Sequence, residues 1–538
     1  MPKQRWVTPS WHAALETPHT PPSSLQETLV SAITKSSHSS QLSTALARDR
    51  LGVPAVVFFV MSAAAPLTVV AGVVPTGMAV TGLTGISIAF LAVAVVLAIF
   101  SVGYVAMARH IANAGAFYAY ISRGIGRPIG VGAAWVALVA YNMFQIASIA
   151  GFGVIGSPLF KDWFGIDVSW WVLALCAWAL TAVLGIRDVA VNGKVLATLL
   201  VAEILLVVAF SFADILSPAF TPSSAPLDPR NLVGAGAGAL LVMAATGFVG
   251  FEQSVVFSEE SRDPRRTVPR ATYIAIALIA ILYAFASWAM ISAAGANPVE
   301  RAGKEGPELF FNVASDRLGS IAIHLGHALF LTSLIAAMIS FHNIIARYTF
   351  SLGREGVLPR VFGRTVLGTG APKNGSLAQS AVSLIVIVLY AINGWDPLVK
   401  LFFWGGTSGG LGVLLLITLT SIAVVGYFAR NPEGENAWHR IGAPFIATAL
   451  LLVVSYLALT NIATLFGVEP GSAPTWVVPA AFGVVMIAGV LWALVLRAGR
   501  KQVYEGIGYG ARSAAATTPG GFSAAMAGPD DDDREILR

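Results

Sequence analysis

Two carboxylates stand in stretches of chain that otherwise carry no charge. Glu252 lies in Gly247-Phe248-Val249-Gly250-Phe251-Glu252-Gln253-Ser254, and Glu203 lies in the apolar run 195–210. An unpaired charge in apolar surroundings is costly, so a carboxyl there is a candidate to take up and release a proton or to face a cation. The glycines beside Glu252 add a second chemistry. A glycine break frees backbone groups that lipid cannot satisfy and that a cavity or ligand can. Carbonyls around Thr246, Gly247, Phe248, Val249 and Gly250 would accept from an ammonium group, and the half-helix that follows offers its positive N-terminal end. Phe248 and Phe251 are flat aromatics able to cover a small zwitterion. A matching feature sits at Ala63-Ala64-Ala65-Pro66-Leu67. Pro66 lacks an N–H and clashes with the preceding turn, while the alanines allow close approach. Tyr141, Asn142 and Gln145 form a polar cluster in apolar surroundings. Asn142 and Gln145 are three apart and share a helix face. Such residues serve interhelical hydrogen bonds or a substrate.

These residues need elements to hold them, and composition says which. Of 538 residues 56% are hydrophobic and 11% charged, with a mean hydropathy of +0.74. A soluble chain carries about a quarter charged residues. Stretches of about 20 apolar residues mark membrane-spanning helices, and twelve segments qualify. The run 51–108 holds two, broken near Thr81–Gly85. The others are 128–160, 168–186, 192–216, 231–257, 270–296, 318–346, 374–394, 400–429, 441–463 and 474–496. The expected fold is therefore an all-α polytopic membrane protein of twelve spans. With both termini in the cytoplasm, only Lys161, Arg230, Arg301, Lys304, Arg317 and Lys400 of the 33 Lys and Arg fall outside. That is a firm positive-inside bias, and it predicts a multi-pass protein of the cytoplasmic membrane. Residues 1–50, rich in Ser, Thr, Pro and His, and residues 501–538, ending in an acidic run, read as disordered cytoplasmic tails around a 51–500 transmembrane domain.

Several classes fall away. The pI of 9.3 reports membrane orientation, because the arginines are spread over short loops and form no nucleic-acid-binding face. Cys176 is the single cysteine, so neither an intrachain disulfide nor a cysteine metal site is available. The eight histidines form no metal-ligand pairs, and no Walker-type lysine follows a glycine-rich loop. An enzyme, a cofactor and a resident metal are not expected. The breaks near Pro66 and Gly250 fall in the first and sixth spans. The repeat unit is then five spans, an odd number, which sets the two halves in opposite orientation. Breaks at corresponding positions of two halves point to a carrier's binding site.

Three stretches carry a family resemblance. Ala108-Arg109-His110-Ile111-Ala112-Asn113-Ala114-Gly115-Ala116-Phe117-Tyr118-Ala119-Tyr120 follows the second span. Gly250-Phe251-Glu252 is followed by Glu259-Glu260-Ser261-Arg262-Asp263-Pro264 and, further on, Pro269-Arg270-Ala271. Ser351-Leu352-Gly353-Arg354-Glu355-Gly356 leaves the eighth span. Over nearly all of 50–500 the chain resembles the amino acid–polyamine–organocation permeases. The resemblance implies a leucine-transporter-like fold, with spans 1–5 (51–216) and 6–10 (231–429) as inverted repeats, spans 1 and 6 broken at the midplane, and spans 11–12 (441–496) appended. It implies alternating-access transport of amino acids or related amines, with substrate between spans 1 and 6 and flanked by 3, 8 and 10. Phe341 lies fourteen residues before Glu355, where the family's substrate-facing aromatic stands. Some proton-coupled relatives carry a lysine in span 5, eleven residues after the small residue that starts it. Counted from Asn192 that position is Glu203, with the charge reversed, which makes Glu203 the expected proton carrier. Glu252 is expected to anchor the second half of span 6 or to sense a bound cation. The glycine-rich carboxylate cradle of many relatives is replaced here by Ala63–Leu67, so the substrate need not be a standard α-amino acid. Proton-coupled uptake of a small neutral amino acid is the expectation. Exchange, polyamine transport, or a non-transporting membrane sensor on the same fold are the alternatives.

Overall fold

The computed structural model describes residues 42–43, 46, 49–187, 189–366 and 369–513. The helices α1 (Val53–Ala64), α2 (Val74–Thr81), α3 (Ile86–His110), α4 (Phe117–Gly124) and α5 (Arg127–Phe164) come first. They are followed by α6 (Trp170–Gly185), α7 (Val189–Ile215), α8 (Ala237–Thr246), α9 (Gln253–Val256) and α10 (Pro264–Ala293). Further along are α11 (Pro298–Glu305), α12 (Glu308–Arg354), α13 (Lys373–Asn393), α14 (Trp404–Arg430), α15 (Ala443–Thr460), α16 (Ala473–Gly499) and α17 (Lys501–Gly506), with a short helical turn at Ile462–Phe466 between α15 and α16. The strands β1 (Leu42–Ser43) and β2 (Thr365–Val366) pair antiparallel. Among the described residues, ten helical stretches are long and apolar enough to cross a membrane, and α6 and α8 are shorter apolar helices. The chain is a multi-pass membrane protein.

The helices start where the chain allows it. Proline occupies the first turn of α1, α5, α10, α15 and α16, where its missing N–H costs nothing and its φ suits the helix. The connection expected at Thr81–Gly85 is the turn between α2 and α3. In α12 the backbone leaves helical geometry at Gly319, near the start of the apolar stretch Arg317–Arg354. It then runs eight residues past the expected end at 346, carrying Arg347 and Arg354 to the arginine-rich end of the bundle. The expected 501–538 tail is also corrected in part. Residues 501–513 hold α17 and a 3-10 turn at Gly510–Arg512, and Ile507 is fully buried. The other tail residues, 1–41 and 514–538, lie outside the described set.

The helices fall into two packed groups. One joins α1, α3, α8 and α10; the other joins α5, α6, α12 and α13, with α7 between α1, α10 and α12. Helix α16 lies against α5 at a contact of small residues. A Cβ on Gly489 would collide with the Trp135 ring and stand 2.6 Å from Gly132 Cα. Close backbone approach is what small residues provide in membranes. Gly489→Val should therefore cost about 1–3 kcal/mol through overpacking, read as a lower unfolding midpoint in detergent; an unchanged midpoint would mean that α16 does not pack on α5 as described.

Candidate functional site

Both expected breaks exist, and they touch. Helix α1 ends at Ala64; Ala65 turns left-handed (φ 46°, ψ 71°), and Pro66–Thr68 resumes the helix, followed by a wider π turn at Val69–Val73. Helix α8 ends at Thr246, and turns carry the chain through Gly247–Glu252 into α9. Gly250 has φ 117°, a value that disfavours any side chain. A Cβ there would lie 2.7 Å from Ala63 Cβ and 3.2 Å from the Ala64 nitrogen and the Val60 carbonyl. Glycine in one break and alanine in the other are thus what lets the two irregular segments abut.

The freed backbone groups find side-chain partners. Tyr283 on α10 donates to the Ala64 carbonyl (3.0 Å). Tyr104 on α3 donates to the Glu252 carbonyl (2.9 Å). Glu252, fully buried, accepts from the Gly250 N–H with one oxygen and from the Tyr141 hydroxyl with the other, each at 2.9 Å. One carboxyl therefore holds the α8–α9 break in shape and ties it to α5. Tyr104 and Tyr283 lie outside the expected site residues. Their aromatic-polar character in apolar helices was the available signal.

The expected binding residues occupy several environments. Phe248 is buried against Phe90 and Tyr283, and Phe251 packs edge-on to Phe100. Phe341 stacks on Phe144 at 4.9 Å and leans on Tyr141, which brings it to the helix that meets Glu252. Thr246 and Val249 line a small apolar cavity of about 30 Å³ that also touches Gly410 and Val413 of α14. Asn142 and Gln145 do not act as a pair. Asn142 bonds to its own Leu138 carbonyl, whereas Gln145 turns to a buried network, meeting His342 Nδ1 (3.1 Å) and accepting from Gln379 (2.5 Å). His342 Nε2 in turn meets Ser376 (2.7 Å).

Glu203 is fully buried on α7. The Ser333 hydroxyl of α12 and the Leu67 N–H of the first break face it, close by but off hydrogen-bond geometry, so both carboxyl oxygens lack a partner among the described residues. Thr68 donates to Ser333 (3.1 Å), closing a small polar patch where the break meets α7 and α12. Asp214, three turns further along α7, is a second buried carboxyl there without a partner; it was legible as an acid in an apolar run but was not singled out.

The arginine-rich end carries two ion pairs. Arg347 meets Glu260 through Nε (2.6 Å) and Nη2 (3.0 Å), with both side chains 2% exposed. Arg354 meets Glu259 through two bonds of 2.7 Å. Below them opens a cavity of about 820 Å³ touching Arg109, Ser258, Glu259, Arg262 and Tyr509.

Two abutting helix breaks braced by buried tyrosines and the Glu252 carboxyl, inside a multi-pass helical bundle, point to a membrane transport protein. The family comparison makes this specific. Residues 51–491 match the family model described as amino acid permease, and the chain belongs to that family, whose members are transporters and not enzymes. The branched-chain amino acid permease BcaP of Lactococcus lactis is 23% identical over 56% of this chain and 68% of its own. The low-affinity putrescine importer PlaP of Escherichia coli is 23% identical over 72% and 82%. The lysine-specific permease LysP of Lactococcus lactis is 23% identical over 57% and 63%.

The Arg347–Glu260 pair yields a test. Removing one partner of a buried pair strands the other charge, at about 3–5 kcal/mol. Arg347→Met should lower the unfolding midpoint sharply, and Arg347→Met combined with Glu260→Met should recover most of the loss. A double variant as unstable as the single would show that the pair is not what the arginine contributes.

Proposed function

We propose that this permease takes up a small neutral or singly charged amino acid or amine across the cytoplasmic membrane by alternating access, coupled to protons. The observation that carries the proposal is the contact of the Ala63–Leu67 and Thr246–Gly250 breaks, with a buried carboxyl behind them. Twelve spans follow if α6 and the α8–α9 pair cross the membrane beside the ten longer stretches. Inverted repeats of five spans account for the two breaks falling in the first and sixth. The arginine-rich end is the cytoplasmic side, with both termini there, and the ion pairs are its closed gate.

Substrate class follows from the charges at hand. The named relatives carry branched-chain amino acids, lysine and putrescine, so family membership leaves the choice open. A di- or tri-cation needs several buried counter-charges. Near the breaks stand Glu203 and Glu252, and Glu252 already accepts from Tyr141 and Gly250. The substrate's ammonium would meet carbonyls of Thr246–Gly250, with Phe248 and Phe341 as covers and Ala63–Leu67, Asn142 and Gln145 around it. In proteoliposomes a labelled neutral amino acid should accumulate, and unlabelled neutral amino acids should compete with it. Competition by putrescine or spermidine alone would reverse the ranking, and a broad panel with neither flux nor thermal stabilisation would refute transport itself.

Coupling is assigned to Glu203. Ionised, it has no cationic partner beside the first break; protonated, it adds no charge. Proton arrival and departure therefore change the electrostatic cost of the Leu67–Thr68–Ser333 contact, the seam that alternating access must open and close. Glu203→Gln should leave substrate binding intact and abolish accumulation driven by a pH gradient, reducing it at least about tenfold, the equivalent of ~1.4 kcal/mol, while exchange persists. Undiminished pH-driven uptake by that variant, or strict sodium dependence of the wild type, would remove Glu203 from the mechanism.

A further inference from the structure

The segment after α17 makes unusually specific contacts for a chain end outside the membrane. Glu355, at the end of α12 and 4% exposed, accepts four hydrogen bonds. Two come from side chains, Asn113 Nδ2 (3.0 Å) and the Tyr118 hydroxyl (2.6 Å). Two come from the backbone of the C-terminal segment, the N–H groups of Gly508 and Gly510, each at 2.7 Å. Both glycines have positive φ. A Cβ on Gly508 would lie 3.0 Å from Ser122 Cβ, and one on Gly510 would lie 3.0 Å from Asn113 Nδ2 and 3.2 Å from Arg354 Nη2. The flanks are held as well. Arg127 donates to the Glu505 carbonyl (3.1 Å), and the Arg123 guanidinium sits 4.3 Å over the Tyr509 ring.

What this segment touches is the gate. Arg354 is the neighbour of Glu355 and spends both terminal nitrogens on Glu259, which also accepts from the Ala114 N–H (2.9 Å). Arg354 Nε is buried without a partner among the described residues, and the Arg354 and Glu355 charges act on each other. With four donors on it, Glu355 is satisfied without the guanidinium. Stripped of the two backbone donors, it becomes an under-solvated buried carboxylate beside a cation with a spare N–H. Buried charges seek such partners.

We propose that residues 506–513 form a strap that keeps the cytoplasmic gate shut by occupying Glu355, and that unseating the strap transfers Arg354 from Glu259 to Glu355. Glu259 lies on the segment that follows the α8–α9 break, so the transfer removes one of the two ion pairs that hold that segment to α12 and leaves Arg347–Glu260 as the other. The strap walls the cavity below the gate through Gly508 and Tyr509, where a cytoplasmic partner or a modification of the tail could reach it. The inference uses the orientation assigned above and neither the substrate nor the proton.

Accessibility of the gate tests it without transport. In a Cys176→Ser background, Ser258→Cys places a thiol at a buried position beside Glu259. Labelling by a membrane-impermeant maleimide from the cytoplasmic side should be slow. Deleting residues 507–538, or combining Gly508→Val with Gly510→Val in the full-length chain, should speed it by about tenfold or more, because two hydrogen bonds to a buried charge are lost and the new Arg354 contact offsets only part of that loss. Adding Glu355→Gln to either variant should restore slow labelling, because a neutral amide cannot draw Arg354 away. Labelling unchanged by strap removal would overturn the proposal. Labelling that rises and is not reversed by Glu355→Gln would also overturn it, showing that the strap acts only by covering the surface. If the deletion variant does not fold, the double-glycine variant carries the same two readings.

Discussion

A helix interrupted inside a membrane must satisfy its freed backbone groups from within the protein, and this requirement organises the molecule. Lipid offers no hydrogen bonds, so each interruption brings its own donors and acceptors. Tyr283 serves the Ala64 carbonyl, Tyr104 the Glu252 carbonyl, and the Glu252 carboxyl the Gly250 N–H. Each of those partners stands on a different helix, or reaches one through Tyr141. The interruptions therefore dictate which helices must be neighbours, and the α1–α3–α8–α10 group is the outcome.

The same physics sorts the charges. Buried ion pairs are tolerated where geometry is good and further hydrogen bonds fill the remaining sites, and Arg347 meets that condition with Glu260 and Asn343. At the arginine-rich end charge is thus spent on ion pairs between α12 and the segment after α9. Around the breaks it is nearly absent, and what remains at Glu203 is unpaired. An amino acid or amine permease gains from this division, because few charges beside the breaks compete with those of the solute.

Much of the architecture was legible in the chain. Apolar length gave the helices, Pro66 and Gly247–Gly250 gave the two interruptions, and the neighbourhood of Glu203 followed from its position in α7. Other features lay beyond reach for physical reasons. Asn142 and Gln145 share a helix face by spacing, yet a few tens of degrees separate a side chain that bonds its own backbone from one that enters a network with His342. The kink at Gly319 is set by a single backbone angle. Residues 506–513 have a composition typical of a solvated tail, and the partners that hold them include a carboxylate more than 150 residues earlier. Long-range pairing of this kind leaves no local trace.

The network of Gln145, His342, Ser376 and Gln379 has a mechanical side. It cross-links α5, α12 and α13 through side chains that are all buried, so sliding any of the three would break polar bonds in a medium that cannot replace them. By contrast, the Ala63–Gly250 contact joins methyl to backbone with no bond to break. The cross-linked set is the stiffer part of the bundle, and the place where the two interruptions meet is the softer one. A load applied to the bundle is thereby channelled to the contact of Ala63 with Gly250.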